Sequence, residues 1–144
     1  MSFAKIYLHC VWSTKNRDCQ ISTSFRPVLL AHLKEYCKEK KIFLDFINAH
    51  VDHVHALISL GKKQTVADIM QLIKGESSFW INSLMMMPYQ FEWQDDYWVA
   101  SVSYSHVDKV REYIKNQDQH HQNISRDEEI DRFLVKNGFE RIED

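Results

Sequence analysis

The chain has 144 residues, of which 44% are hydrophobic and 26% charged, enough to build one domain around one core. Its 3 Gly, 2 Pro and 3 Cys exclude collagen-like, linker-rich and disulfide-framework chains, and the spacing of Cys10, Cys19 and Cys37 offers no zinc-ribbon pair. The 18 basic and 20 acidic residues leave a net charge of −2, which argues against an indiscriminate nucleic-acid binder.

Taken from the N-terminus, the residues up to His9 contain no apolar leader, and no stretch approaches the roughly 20 apolar residues that cross a bilayer, so a cytoplasmic protein without membrane contact is expected. From Lys5 to Ser13, Ile6, Leu8, Cys10 and Trp12 alternate with Tyr7, His9 and Val11, the period of a β-strand. From Phe25, apolar positions at Val28, Leu29, Leu33, Tyr36 and Cys37 take helical spacing up to the basic run Lys38, Lys40, Lys41. Residues 42–60 read as two strands around a turn at His50 to Asp52, stopped at Gly61. Thr65 with Asp68 starts a second helix whose stripe, from Val66 through Ile73 and Trp80 to Leu84, reaches the Met85 to Met87 run; Gly75 is its weak point.

Residues 89–104 read as a loop and a fourth strand, interrupted by Asp95-Asp96. The order β-α-β-β-α-β predicts an α+β, ferredoxin-like antiparallel sheet with the first and third strands central and adjacent. Additional C-terminal helices follow, one capped by Ser105 and running from His106 to about Gln119 and one capped by Ser125 with Glu128 and ending before Gly138. A single domain over 1–144 is expected, with a core at about 3–125 and a helical tail at about 126–144.

The feature most able to carry chemistry is His53-Val54-His55. On a strand its two imidazoles share one face about 6.6–6.8 Å apart, and their ring nitrogens can converge on a metal. The alternative reading is a pair of surface or hydrogen-bonded strand histidines. His50, three residues earlier, falls on the opposite face of a continuous strand and is a poorer ligand. Tyr113 and Gln117 are i, i+4 on the third helix and flank its buried stripe of Val107, Val110 and Ile114, so that a phenol and an amide can act together.

His53-Val54-His55, Ser101-Val102-Ser103 before a helix, and Tyr113-Ile114-Lys115-Asn116-Gln117 within it together resemble the single-tyrosine transposases of small bacterial insertion sequences. These insertion-sequence-200-like enzymes belong to the HUH endonuclease superfamily. Trp12-Ser13-Thr14-Lys15-Asn16-Arg17 and Lys74-Gly75-Glu76-Ser77-Ser78 extend the resemblance to roughly residues 3–125. It implies a transposase that cuts single-stranded DNA, in hairpin-bearing element ends, with Tyr113 as nucleophile, a 5′-phosphotyrosine intermediate, and transfer to an incoming 3′-OH. It further implies His53, His55 and Gln117 as ligands of a divalent metal, Mg²⁺ or Mn²⁺, and a homodimer in which Tyr113 serves its own or its partner's histidines. Between Trp93 and Ser101 the chain departs from the family it resembles, whose members often have glycines and a small-aromatic sequence where it reads Gln94-Asp95-Asp96-Tyr97-Trp98-Val99-Ala100.

Lys15, Arg17, Lys62, Lys63 and Lys74 are candidate phosphate contacts, although any one of them taken alone reads first as a solvated surface charge. His120 and His121 read as exposed, and Trp12, Trp80 and Cys10 as core. Two other readings compete: a domesticated nuclease of the same superfamily, and a non-catalytic RNA- or single-stranded-DNA-binding module. The module needs aromatic RNP motifs on the central strands, where this chain has His53-Val54-His55. Residues 127–144 hold seven acids and three bases, so the remaining 126 residues carry +2. A groove for DNA must therefore arise from local arrangement, and non-specific binding should be modest and salt-sensitive.

Overall fold

The computed structural model describes residues 1–15, 20–117 and 125–139. Arg17, Cys19, His120 and His121 lie outside the described residues. The elements are β1 (Tyr7–Ser13), α1 (Arg26–Glu39), β2 (Phe43–Ala49), β3 (His53–Ser59), α2 (Val66–Ser83), β4 (Trp98–Val102), α3 (Val107–Lys115) and α4 (Arg126–Lys136). The four strands form one antiparallel sheet in the order β2-β3-β1-β4, so β1 and β3 are central and adjacent, as the split βαβ pattern requires.

Strand alternation gives the sheet two differently employed faces. Leu8, Cys10, Trp12, Val54, Ala56 and Ile58 point to the face covered by α1 and α2, where Leu29, Leu33, Met70 and Ile73 complete the main core. Tyr7, His9, Val11, His53, His55 and Leu57 occupy the other face, which α3 covers with Val107 and Ile114 and α4 with Phe133. Every residue of β1 is consequently buried, although four of its seven face away from the main core.

The local signals act where their chemistry places them. The Thr65 hydroxyl accepts from the Asp68 amide (3.1 Å), and the Ser125 hydroxyl from the Glu128 amide (3.3 Å), capping α2 and α4. Gly138 takes φ +72° after α4, with its amide donating to the Val135 carbonyl and the Phe139 amide to the Leu134 carbonyl. Those paired bonds satisfy the last carbonyls of the helix.

Four boundaries differ from expectation. β1 starts at Tyr7 rather than Lys5. α2 stops at Ser83, before the methionine run, and the chain turns through Met85 at φ 52°. Ser105 does not cap α3: a 3-10 turn at Tyr104–His106 intervenes, and the Ser103 and Ser105 hydroxyls meet the His106 ring instead. α3 ends at Lys115 rather than near Gln119, with Asn116 leaving helical geometry.

Gly75 lies in the exposed middle of α2, and an added Cβ would meet nothing within 4 Å. Gly75→Ala is expected to stabilise the fold by about 0.5–1 kcal/mol, read as a higher midpoint in urea denaturation. Burial pushes the Cys10 thiol up to about 12, and burial with nearby Glu76 pushes Cys37 up to about 11. Neither thiol should react with iodoacetamide at pH 8 in the native protein, and both should after unfolding, as peptide mapping would report.

Candidate active site

β3 builds the site through its hairpin register. Val54, Ala56 and Ile58 have no exposure and lock the strand onto the main core, which aims His53 and His55 into the opposite face, their ring centroids 5.1 Å apart. The sharing of one face expected from His-x-His spacing therefore holds. Both rings are buried, at 0% and 1% exposure, so neither is a surface strand histidine. His50 is not among the residues grouped to hold a metal, although the strand-parity argument for setting it aside does not apply. β2 ends at Ala49 and β3 starts at His53, so the strand is not continuous through His50 and strand parity does not apply; its ring lies 5.8 Å from that of His53.

Each imidazole uses Nδ1 for support and turns Nε2 toward a common point. His53 Nδ1 is 2.8 Å from an Asp52 carboxylate oxygen, and His55 Nδ1 is 2.8 Å from His9 Nε2 on β1. The Nε2 atoms then meet one carboxylate, that of Glu129 on α4: Oε2 at 3.0 Å from His53 and Oε1 at 3.1 Å from His55. Burial disfavours the charged form of His53, but the hydrogen bonds to Asp52 and Glu129 outweigh it and raise the pKa. Burial, then the neighbouring His55 and Lys136, drive His9 well below the usual histidine range, so it is neutral.

α3 brings the phenol to the same place. Val107 and Ile114 pack on Tyr7 and Leu57, Asn48 of β2 donates to the Ile114 carbonyl (2.9 Å), and Arg111 forks onto both Asp45 oxygens at 2.7 Å each. Those ties to β2 hold the Tyr113 ring 5.7 Å from that of His55. The Tyr113 hydroxyl donates to Glu129 Oε1 at 2.7 Å. Burial first, then Glu129, raise its pKa, so the phenol keeps its proton at neutral pH and needs an acceptor to lose it. Gln117 lies past the break in α3, yet it is fully buried. Its side chain reaches both the Tyr113 carbonyl (3.3 Å) and the Tyr113 hydroxyl, so the i, i+4 pairing survives the helix end.

His53, His55 and Glu129 each offer an atom within 4.8 Å of the others, and all three are buried. Two imidazoles whose second nitrogens are already engaged, plus one carboxylate, form a donor set that fits a divalent metal and leaves coordination positions open.

Glu129 and His9 are the site residues that sequence reasoning missed. Glu129 sits in the acidic first turn of a capped helix, where carboxylates complement the helix dipole anyway. Its one distinguishing signal is the apolar flank of Ile130, Phe133 and Leu134 on the same helix. His9 shares strand phase with Tyr7 and Val11, a polar ring in an otherwise apolar run.

The described candidate lysines lie elsewhere. Lys15 pairs with Glu92 (3.3 Å), Lys62 donates to the Ser2 carbonyl (3.1 Å), and Lys63 is exposed. Lys74 donates to the Gln94 and Asp95 carbonyls (2.7 and 2.8 Å), clamping the loop that carries Asp95-Asp96. No helix among the described residues is long and apolar enough to cross a membrane.

Comparison with known proteins bears on the fold and the family. The transposase for insertion sequence element IS200 of Salmonella typhimurium is 25% identical over 114 residues, spanning 76% of this chain and 74% of that protein, and its Salmonella typhi counterpart matches equally. Among solved structures, a protein of Deinococcus radiodurans R1 described as a transposase superposes with a TM-score of 0.64 at 23% identity, covering 81% of this chain and 93% of that one. A REP-associated tyrosine transposase bound to a REP hairpin also gives 0.64, at 13% identity, over 86% of this chain and 73% of that one. These two likenesses establish the fold. The IS200-like transposase family matches residues 2–117, a stretch that includes the paired histidines, Tyr113 and Gln117, and the chain belongs to that family.

Proposed function

We propose that the protein cuts and rejoins single-stranded DNA, with Tyr113 as nucleophile and a divalent metal held by His53 and His55. The observation that carries this reading is the Glu129 carboxylate, which spans both imidazoles and the Tyr113 hydroxyl within 3.1 Å. Glu129 supplies the third metal ligand in the arrangement described. A metal bound there would polarise the scissile phosphate and offset the charge developing on it. The mixed nitrogen and oxygen donors suit Mn²⁺ better than Mg²⁺.

Tyr113 begins protonated, and Glu129 Oε1 is placed to take its proton. The phenolic oxygen attacks phosphorus, the bond from phosphorus to the 3′-oxygen breaks, and that oxygen takes a proton from water to leave as a 3′-OH. The 5′-phosphotyrosine keeps the phosphodiester energy, so a 3′-OH of another strand can reverse the step and join without ATP. Admitting a phosphate to so buried a site requires the α4 carboxylate to give up its place between the imidazoles while Oε1 keeps its hold on the Tyr113 proton. Gln117, already in reach of the phenol, then offers its amide oxygen as a ligand in the place of Glu129.

Since Tyr113 stands beside the histidines of its own chain, we assign the cut to one chain acting in cis, whether or not a homodimer forms. The binding-module reading loses its basis, because its stacking surface is the sheet face that α3 and α4 cover here. The test uses single-stranded DNA from the ends of the native element with Mn²⁺. Wild type should give a denaturation-resistant protein–DNA adduct that chelation prevents, and Tyr113→Phe should reduce adduct and product by a factor on the order of 10³ or more. Equal product from Tyr113→Phe would refute the nucleophile assignment.

A further inference from the structure

A cavity of about 470 Å³ opens beside Tyr113, between the end of β4, α3 and α4. It falls within the range of about 300–1,000 Å³ typical of small-ligand pockets. Tyr113 and Glu129 form one wall, Val102, Val110 and Phe133 supply apolar surface, and Lys109, Arg132 and Lys136 line the rest with positive charge.

The placement of those cations is specific. The first turn of α4 carries Asp127, Glu128 and Glu129, and residues 127–144 have a net charge of −4, yet Arg132 and Lys136, one turn apart, both line this cavity. The Arg132 charge bears on Tyr113 and that of Lys136 on His9, while Lys109 comes from α3 across the gap. The lysines expected from the sequence to meet phosphate are engaged with Glu92 and with backbone carbonyls, or lie outside this cavity.

An apolar, partly aromatic wall with cations at its rim and a phenol at its end matches the three parts of a nucleotide: a base, a following phosphodiester and a 5′-phosphate. We propose that this cavity binds the deoxynucleotide on the 3′ side of the cut, whose 5′-phosphate becomes joined to Tyr113. It would hold that end of the strand in place while the 3′-OH strand exchanges. The proposal rests on Tyr113 as nucleophile for the direction of the strand, but the binding itself can be measured with no chemistry.

The test is calorimetric binding to Tyr113→Phe protein in EDTA, with three probes: a 5′-phosphorylated thymidine trinucleotide, the same trinucleotide with a 5′-hydroxyl, and thymidine 5′-monophosphate. The phosphorylated trinucleotide should bind tightest, and Arg132→Gln with Lys136→Gln should weaken it by about tenfold while circular dichroism stays native. Unchanged affinity in that double variant, or equal binding of the 5′-hydroxyl form, would overturn the proposal. Monophosphate binding as tight as the trinucleotide would assign the cavity to free nucleotides and overturn it also. If the trinucleotide binds as expected but wild type forms no Tyr113 adduct, the subsite stands and the nucleophile assignment fails.

Discussion

Glu129→Ala will bind Mn²⁺ at least about 100-fold more weakly than wild type, since it removes a ligand outright and second-sphere losses alone reach that size. Three positions should fall in order. His9→Ala, which deletes only the partner of His55 Nδ1, should cost about 10- to 100-fold. Gln117→Ala should change affinity least in the DNA-free protein, because in this arrangement its side chain is bound to Tyr113 rather than aimed between the histidines. Isothermal titration with Mn²⁺ measures all three. An inverted order, with Gln117→Ala as the most damaging, would show that α4 does not supply the third ligand in solution.

The second large effect concerns which chain does the cutting. A mixture of Tyr113→Phe and His53→Ala proteins is expected to cleave no more than the sum of the two alone, because each chain brings its phenol to its own histidines. Were α3 exchanged between two chains, as the resemblance allows, mixed dimers would hold one complete site and substantial cleavage would return. The comparison requires only that subunits be mixed under conditions that let them exchange, and the single variants are its controls.

The sequence made the His53–His55 half of the site legible because a β-strand has a fixed period of two. Once the hairpin places β3 against β1, shared orientation follows whatever packs on top. Tyr113 with Gln117 was legible for the equivalent reason in a helix, and remained so even though the helix ends between them, since one turn of spacing was enough. Glu129 was not legible. Its role depends on α4 folding back over the sheet, which is fixed by Phe133 reaching Val11 and Ala100 and not by any periodicity of its own. His9 was hidden similarly: its strand phase was correct, but its value lies in a diagonal neighbour on another strand. For His50 strand parity was the wrong argument, because a turn separates it from β3.

Charge is instructive in the same way. The basic residues that stand out in the sequence as candidate phosphate contacts include Lys15 and Lys74, which pair with Glu92 and clamp the loop at Asp95. The C-terminal segment looked least suited to DNA by its net charge, yet it directs Arg132 and Lys136 toward the phenol. Net charge counts residues, whereas a strand of DNA meets only those that a helix face presents.

The most direct test of the central claim is to identify the residue that carries DNA. Wild-type protein is reacted with element-end single-stranded DNA and Mn²⁺, digested with nuclease and trypsin, and read by tandem mass spectrometry. The expected product is a nucleotide attached through its 5′-phosphate to Tyr113, absent when His53 or His55 is replaced by alanine. A nucleotide on any other residue, or DNA cleaved with no covalent adduct at all, would contradict it.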